Sequence, residues 1–278
     1  MKLVTYSHQG QTSIGKLEAD RVIPLPGTMR ELIADVAALQ RARAASGPGI
    51  ALAEVQLLAP VPDPRKFMAI GMNYAKHVAE AVAAGIKVPD VQVWFNKQVT
   101  SVSPPFGEVH LPRISDQLDY EVELCVVIGK RCRHVAAADA RSVIAGYMVC
   151  NDFTLRDWQI RSPTMTMGKS FDTTGPVGPW LVTPDEVPDP QALEMRLFVN
   201  GELRQRETTA GMVHDIAHQI EHLSTAFTLE PGDLIATGTP SGVGVAMKPP
   251  RFLKVGDVVR AEIDGLGHIE HRVVPEPL

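Results

Sequence analysis

The stretch LDYEVELCVVIGK, residues 118–130, decides the fold because it is typical of a buried β-strand and yet carries two acids. From Tyr120 to Ile128, apolar and β-branched residues predict a strand interior. Glu121 and Glu123 lie two residues apart, so the alternation of a strand would place both carboxylates on one face. Two like charges this close raise each other's pKa unless a cation lies between them. The stretch therefore predicts an acidic site that needs a positive partner.

A third acid follows at the end of the next apolar run. The segment GYMVCNDFTLRDWQ, residues 146–159, reaches Asp152 where its strand would stop. Three carboxylates with no adjacent Cys or His would form an oxygen site suited to Mg²⁺, Mn²⁺ or Ca²⁺ rather than zinc. The alternative is that Glu121 and Glu123 lie on a solvated sheet face, which is common in antiparallel sheets. The spacing by itself favours this simpler interpretation.

Composition limits the class of protein. The chain has 278 residues, 45% hydrophobic and 21% charged, which is the balance of a globular protein with a sizeable core. Its formal net charge of −5 argues against nucleic acid as a partner. No apolar run approaches the roughly 18 residues of a membrane span, and the first residues lack the pattern of a signal peptide. The three cysteines form no CxxC pair, so we expect reduced thiols in a cytoplasmic protein, with Cys125 and Cys150 in the core.

Strand-like runs dominate the chain. A proline-rich segment, residues 59–66, separates a small N-terminal α+β domain, residues 1–60, from a main domain, residues 61–278. Helices are predicted over 29–45, from 136 to 140 and onward, and over 213–227. Strands are predicted over 2–6, 21–24, 67–70, 120–128, 145–151, 195–199, 234–237 and 258–263. The order of elements predicts a fold that is mainly β with α-helices (α+β).

Six collinear segments resemble the fumarylacetoacetate hydrolase superfamily, in its branch of acylpyruvases and hydroxyheptadienedioate isomerases. They are IGMNYAKHVAE (70–80), DYEVELCVVIGK (119–130), GYMVCNDFTLRDWQ (146–159), GKSFDTTGPVGPWLVT (168–183), VNGELRQ (199–205) and LEPGDLIATGTPSGVG (229–244). The resemblance implies a mixed β-sandwich or β-roll for the main domain, and a homodimer. It also places Glu121, Glu123 and Asp152 on a divalent ion, Mg²⁺ or Mn²⁺, with Ca²⁺ as a further option.

The resemblance also assigns roles to other residues. His77 and Glu80 are three apart, so on a helix they lie on one face and can touch, as in a general base oriented by a carboxylate. Without the resemblance, His77 would be read as a surface histidine. By resemblance the pair activates water, while Lys169 and Gln159 stabilise developing negative charge. Thr239 would hold the carboxylate end of the substrate. Arg156 could contact substrate or pair with Asp152 or Asp157.

These parts imply an enzyme that hydrolyses a carbon–carbon bond in an acylpyruvate or related 1,3-diketo acid, in aromatic or sugar-acid catabolism. The same residues would also support decarboxylation of an oxaloacetate-like acid or isomerisation of a hydroxydienedioate, and fold does not choose among these reactions. Hydrolysis is favoured because His77 and Glu80 are both present and decarboxylation needs no activated water. A non-catalytic relative would be expected to lack a metal or base residue, and none is missing.

Three further features of the sequence concern an apparent zinc site, a lid and the shape of the substrate pocket. His214, His218 and His222 are spaced four apart like a helical zinc site, but a helical wheel places them opposite an apolar stripe, which favours a solvated or subunit-facing row. Residues 80–90 could form a lid. Met165 and Met167 precede Lys169 where relatives often carry an aromatic residue, and residues 103–105 read Ser-Pro-Pro where Gly-Pro is frequent. Flexible thioethers there suggest a pocket reshaped for a longer or bulkier acyl group.

Overall fold

The computed structural model describes residues 1–278. It contains nineteen strands: β1 Lys2–His8, β2 Gln11–Glu18, β3 Arg21–Leu25, β4 Ile50–Ala51, β5 Gln56–Leu58, β6 Phe67–Gly71, β7 Val93–Lys97, β8 Val102–Ser103, β9 Phe106–Leu111, β10 Leu118–Asp119, β11 Val122–Ile128, β12 Ile144–Asn151, β13 Thr154–Leu155, β14 Gly175–Val182, β15 Glu194–Val199, β16 Glu202–Thr208, β17 Leu234–Ala236, β18 Val258–Ile263 and β19 Gly267–Pro275. The α-helices are α1 Met29–Ala34, α2 Val36–Ala44, α3 Ala75–Ala83, α4 Arg156–Gln159 and α5 Ile216–Ala226. The predicted α+β class with mixed sheets is confirmed.

A large mixed sheet carries the site. Its strands run in the order β4-β3-β2-β1-β14-β12-β11-β17-β6-β7, with β5 beside β1 and β8 beside β14. A second sheet, β16-β15-β18-β19-β9, packs against one face, and β10 pairs with β13. None of the helices is both long and apolar enough to cross a bilayer.

Strand β11 is buried on both faces, which explains its nearly continuous apolar sequence. Leu124 and Val126 pack into the core shared with the second sheet. Cys125 and Val127 point the other way, into a core that the helix α1 helps to close. The predicted burial of Cys125 and Cys150 is confirmed, and all three cysteines are free thiols. A sheet covered on both faces leaves its strand ends as the place where polar side chains can gather.

The predicted division at residue 60 stays a prediction. Strands β1 to β5 join the same sheet as the rest of the chain, because β1 pairs with β14 through Lys2↔Val182 and Leu3↔Leu181. The N-terminal segment therefore extends the main sheet rather than forming a separate layer.

Three predicted elements differ in their bounds. The predicted helix 29–45 is two helices, because Asp35 adopts an extended backbone and its carboxylate caps α2 at the N–H of Ala37. The segment after residue 136 is a 3₁₀ helix, Ala137–Val143, rather than an α-helix. Helix α5 begins at Ile216 rather than at 213, because the Asp215 carboxylate caps it at the N–H of His218.

The sides of β11 and α5 on which the predicted residues lie can now be compared with the sequence-based expectations. Strand β11 starts at Val122, so Glu121 lies just before it and strand alternation does not by itself align the two acids. On α5, His218 and His222 are exposed opposite the buried Ile216 and Ile220, as the helical wheel predicts. Phe227, where the predicted helix ends, lies one residue past the end of α5 and is 36% exposed.

Candidate active site

The three predicted acids converge at the ends of β11 and β12. Antiparallel register pairs Val122 with Asn151, and the N–H of Asp152 donates to the carbonyl of Glu121 at 2.9 Å. One carboxylate oxygen from each of Glu121, Glu123 and Asp152 lies within 4.8 Å of the others, and all three residues are buried. The pairing of β11 with β12 therefore brings the three carboxylates together, which alternation within one strand would not do.

Lys169 lies between two of these acids. Its Nζ donates to Glu121 Oε2 and to Asp152 Oδ2, both at 2.7 Å, and it sits 4.8 Å from the centre of the Phe95 ring. The side chain is 2% exposed, so these charge-assisted bonds are shielded from water. Lys169 is thus one of the cations that the paired acids require.

A second buried lysine, Lys97, was missed by the sequence reasoning. It stands at the end of β7, and its Nζ donates to Asp152 Oδ1 at 2.7 Å and to the carbonyl oxygen of Lys169. Its side chain is fully buried. Lys97 therefore holds both the carboxylate of Asp152 and the loop that carries Lys169.

Arg156 fixes the other side of Glu121. Its Nη1 lies 2.7 Å from Glu121 Oε1, and its Nε donates to Asp119 Oδ2 at 2.8 Å. Asp119 in turn accepts from the N–H groups of Gly244 and Val245, at 2.8 and 2.9 Å. The ion-pair partners of Arg156 are therefore Asp119 and Glu121, and not Asp152 or Asp157, which the sequence offered as an alternative to substrate contact. Asp119 was also missed by the sequence reasoning.

Charge in this cluster is not balanced. Four buried carboxylates, those of Asp119, Glu121, Glu123 and Asp152, face three buried cations, those of Lys97, Lys169 and Arg156. Glu121 lies against two of the cations; although burial alone would raise its pKa, Lys169 and Arg156 lower it to about 2. Glu123 has one donor, the N–H of Gly238 at 2.8 Å, and burial, Asp152 and Glu121 raise its pKa well above the ordinary value.

This surplus of carboxyl groups over cations is where a divalent cation fits. The donor set is all oxygen and comes from the ends of two adjacent strands, and oxygen donors suit Mg²⁺ or Mn²⁺. Glu123, with no cation of its own, would gain most from such an ion. On these grounds the residues present fit a bound metal.

His77 and Glu80 lie on α3 and face the same cavity. Nδ1 of His77 is 3.3 Å from Glu80 Oε2, and Glu80 also accepts from the N–H of Gly242 at 3.2 Å. If Nδ1 carries the proton that Glu80 accepts, Nε2 remains free to take one. The predicted contact between the two residues is present.

The remaining predicted residues also line the cavity, whose volume is about 370 Å³. Gln159 accepts from Arg156 at 3.1 Å, and its amide N–H₂ donates to the sulfur of Met165 at 3.6 Å. The Thr239 hydroxyl donates to the Val122 carbonyl at 3.0 Å and accepts from Gln205 at 2.9 Å. Met165 lines the cavity, whereas Met167 is 56% exposed and does not, so only one of the two predicted thioethers bears on the pocket.

Two packed sheets, with an acid cluster that could bind a metal ion beside a cavity, are the fold and site of an enzyme. Residues 66–274 match the family described as fumarylacetoacetate (FAA) hydrolase C-terminal, and residues 1–60 match the one described as Rv2993c-like, N-terminal. The chain belongs to the fumarylacetoacetate hydrolase family. This confirms the resemblance seen in the sequence.

Three relatives illustrate the range of activities around this chain. A Burkholderia ambifaria protein named "Putative hydrolase" is 46% identical over 275 residues, covering 96% of each chain. The structure of maleylpyruvate hydrolase from Sphingobium sp. SYK-6, in complex with manganese(II) ion and pyruvate, is 33% identical with a TM-score of 0.82 over 100% of both chains. The structure of 2-hydroxyhepta-2,4-diene-1,7-dioate isomerase from Mycobacterium marinum is 32% identical with a TM-score of 0.80, also over 100% of both chains.

Proposed function

We propose that this protein is a divalent-metal-dependent hydrolase that cleaves the carbon–carbon bond of an acylpyruvate or related 1,3-diketo acid. The observation that carries the proposal is that the His77–Glu80 pair faces the same cavity as the buried acid triad. The cavity then offers a base for water together with the positive charge of Lys169 for the leaving group. The manganese and pyruvate in the Sphingobium enzyme support the same assignment.

Glu121, Glu123 and Asp152 would hold the ion, Mg²⁺ or Mn²⁺. When bound, it would supply Lewis-acid polarisation of the 2-keto oxygen and carboxylate of the substrate. Thr239 and Arg156, which line this end, would orient that carboxylate.

His77 would take a proton from water, with Glu80 holding the imidazole in place. The water oxygen would attack the distal carbonyl carbon, and the bond from this carbon to the methylene group of pyruvate would break. The electron pair would pass into the pyruvate enolate, beside the charge of Lys169 and the amide of Gln159. Protonation of the methylene carbon completes the reaction, which gives pyruvate and a carboxylic acid from one water.

The test measures turnover of acetylpyruvate and oxaloacetate with Mg²⁺ or Mn²⁺, then with EDTA, for the native protein and for His77→Ala. We expect EDTA to abolish cleavage of acetylpyruvate and His77→Ala to lower kcat by about 10²–10⁴-fold, the range of a general base. His218→Ala is the matched control, because His218 is exposed on α5 outside the cavity.

The alternative is a decarboxylase or an isomerase that uses the same acid triad. Turnover of oxaloacetate alone, retained in His77→Ala, would establish decarboxylation and overturn the role of His77.

The homodimer stays a prediction, which sedimentation equilibrium would test.

A further inference from the structure

We propose that the acyl group accepted by this site is uncharged, apolar and several carbons long. The inference rests on the proposed function, because it concerns the part of the substrate distal to the pyruvate unit. It follows from how polar and apolar side chains are distributed around the cavity.

Most polar groups of the cavity lie at the end formed by the acid cluster. Six polar side chains line that end and bond to one another or to the backbone there: Glu121, Glu123, Lys169, Arg156, Gln159 and Thr239. The apolar lining comes from β6 and β7, from α3 and the segment after it, and from the loops after α4 and β17. It includes Ile70, Ile86, Val93, Ile160, Val243 and Val245. A ligand whose keto acid lies at the acid cluster would therefore extend its other end along apolar surface.

A second carboxylate on the substrate would find little positive charge in this cavity. Three cationic side chains line it, and two of them, Lys169 and Arg156, are held by buried acids. The third, Lys87, lies exposed in the segment after α3. Glu80 adds a carboxylate to the lining. Recognition of a second carboxylate would be expected to use a cation that is not already held by protein acids, such as an arginine free to bind it through two hydrogen bonds, and apart from the exposed Lys87 the lining offers none.

Apolar side chains also surround the mouth of the cavity. Ile160 is 83% exposed, Ile86 is 51% exposed and Val245 is 41% exposed, although each lines the cavity. Clustered exposed apolar residues mark binding surfaces more often than scattered ones do. An acyl chain crossing the mouth would remove this surface from water, so affinity should rise with the length of the chain.

The first test measures binding without turnover, by calorimetry in the presence of Mn²⁺. The ligands are 5-methyl-2-oxohexanoate and 2-oxoglutarate, which differ only in an isopropyl group where the second acid has a carboxylate. We expect the branched acid to bind at least about tenfold more tightly. Equal affinity, or tighter binding of 2-oxoglutarate, would overturn the inference whatever the enzyme does to diketo acids.

The second test measures kcat/KM for acylpyruvates of increasing chain length and for succinylpyruvate. We expect a gain of about fourfold per added methylene from acetyl to hexanoyl, because each buried methylene contributes about 0.8 kcal/mol. Ile160→Ser should reduce that gain, whereas Val36→Ser, at an apolar residue on α2 that is also exposed but lies outside the cavity, should not.

The outcomes separate the two proposals. Cleavage of acetylpyruvate with no dependence on chain length overturns the apolar acyl group and leaves the hydrolase intact. Preferential binding of the branched acid without cleavage of any diketo acid supports the apolar pocket and overturns the hydrolase. A preference for succinylpyruvate that disappears in Lys87→Gln would assign the pocket to a dicarboxylate held by that lysine.

Discussion

The two ends of the cavity are built in opposite ways. At the acid cluster, charged side chains from β7, β11 and the segments after β12 and α4 are buried and bonded to one another. At the mouth, the apolar side chains of Ile86, Ile160 and Val245 stand exposed on segments outside the α-helices and strands. Chemistry shared by many substrates requires a rigid site, whereas selection of the acyl group can be placed on loops that vary without disturbing the sheet.

If the acid cluster carries the chemistry and the mouth only selects the acyl group, the largest loss of activity is expected from a substitution at Glu123. Glu123→Gln should lower kcat/KM by at least about a thousandfold, since loss of a metal ligand forfeits several kcal/mol of charge stabilisation. The same change should raise the free energy of unfolding of the ion-free protein, because it removes a buried carboxylate that has one hydrogen bond and two like charges beside it. Calorimetric Mn²⁺ binding and urea denaturation measure the two effects.

Glu108→Gln is the control, because Glu108 is an exposed acid on β9 away from the cavity. Unchanged Mn²⁺ affinity in Glu123→Gln would remove Glu123 from the proposed metal site.

Lys97 tests whether the cluster acts as one unit. Lys97→Met should lower the free energy of unfolding by about 3–5 kcal/mol, the cost of breaking a buried ion pair from one side. It should also weaken Mn²⁺ binding by about 10–100-fold, because Asp152 loses a partner that orients it. Denaturation and calorimetry again supply the measurements.

Lys254→Met, at an exposed lysine with no ion pair, controls for the loss of a charge. If Lys97→Met matched the native protein in both readouts, Lys97 would be a bystander to the site.

Lys97 also shows where sequence reasoning ends. The strands β11 and β12 and the acids they carry were predictable because hydrophobic pattern and family motif both lie within short segments. The partners of Lys97 are 55 and 72 residues away, and no local pattern links them. The same holds for Asp119, whose partner Arg156 is 37 residues away.

The fold was predictable to a similar extent. Strand β14, Gly175–Val182, has two prolines and two glycines, which weaken a strand pattern, yet it joins β1 to β12 in the large sheet. Strand β9, Phe106–Leu111, depends on parallel pairing with the distant β19. Both strands are specified by tertiary contacts rather than by their own sequences.

The smallest effect is predicted at the mouth of the cavity. The same substitution, isoleucine to alanine, can be compared there and in the buried core. Ile160→Ala should change the free energy of unfolding by less than about 0.5 kcal/mol, because the side chain is exposed and packs against little. Ile128→Ala, in the fully buried strand β11, should cost about 2–5 kcal/mol. Urea denaturation of the two variants gives the difference directly. A cost above about 1 kcal/mol for Ile160→Ala would mean that the mouth is packed as part of the core, which is inconsistent with specificity carried by loops that are free to vary.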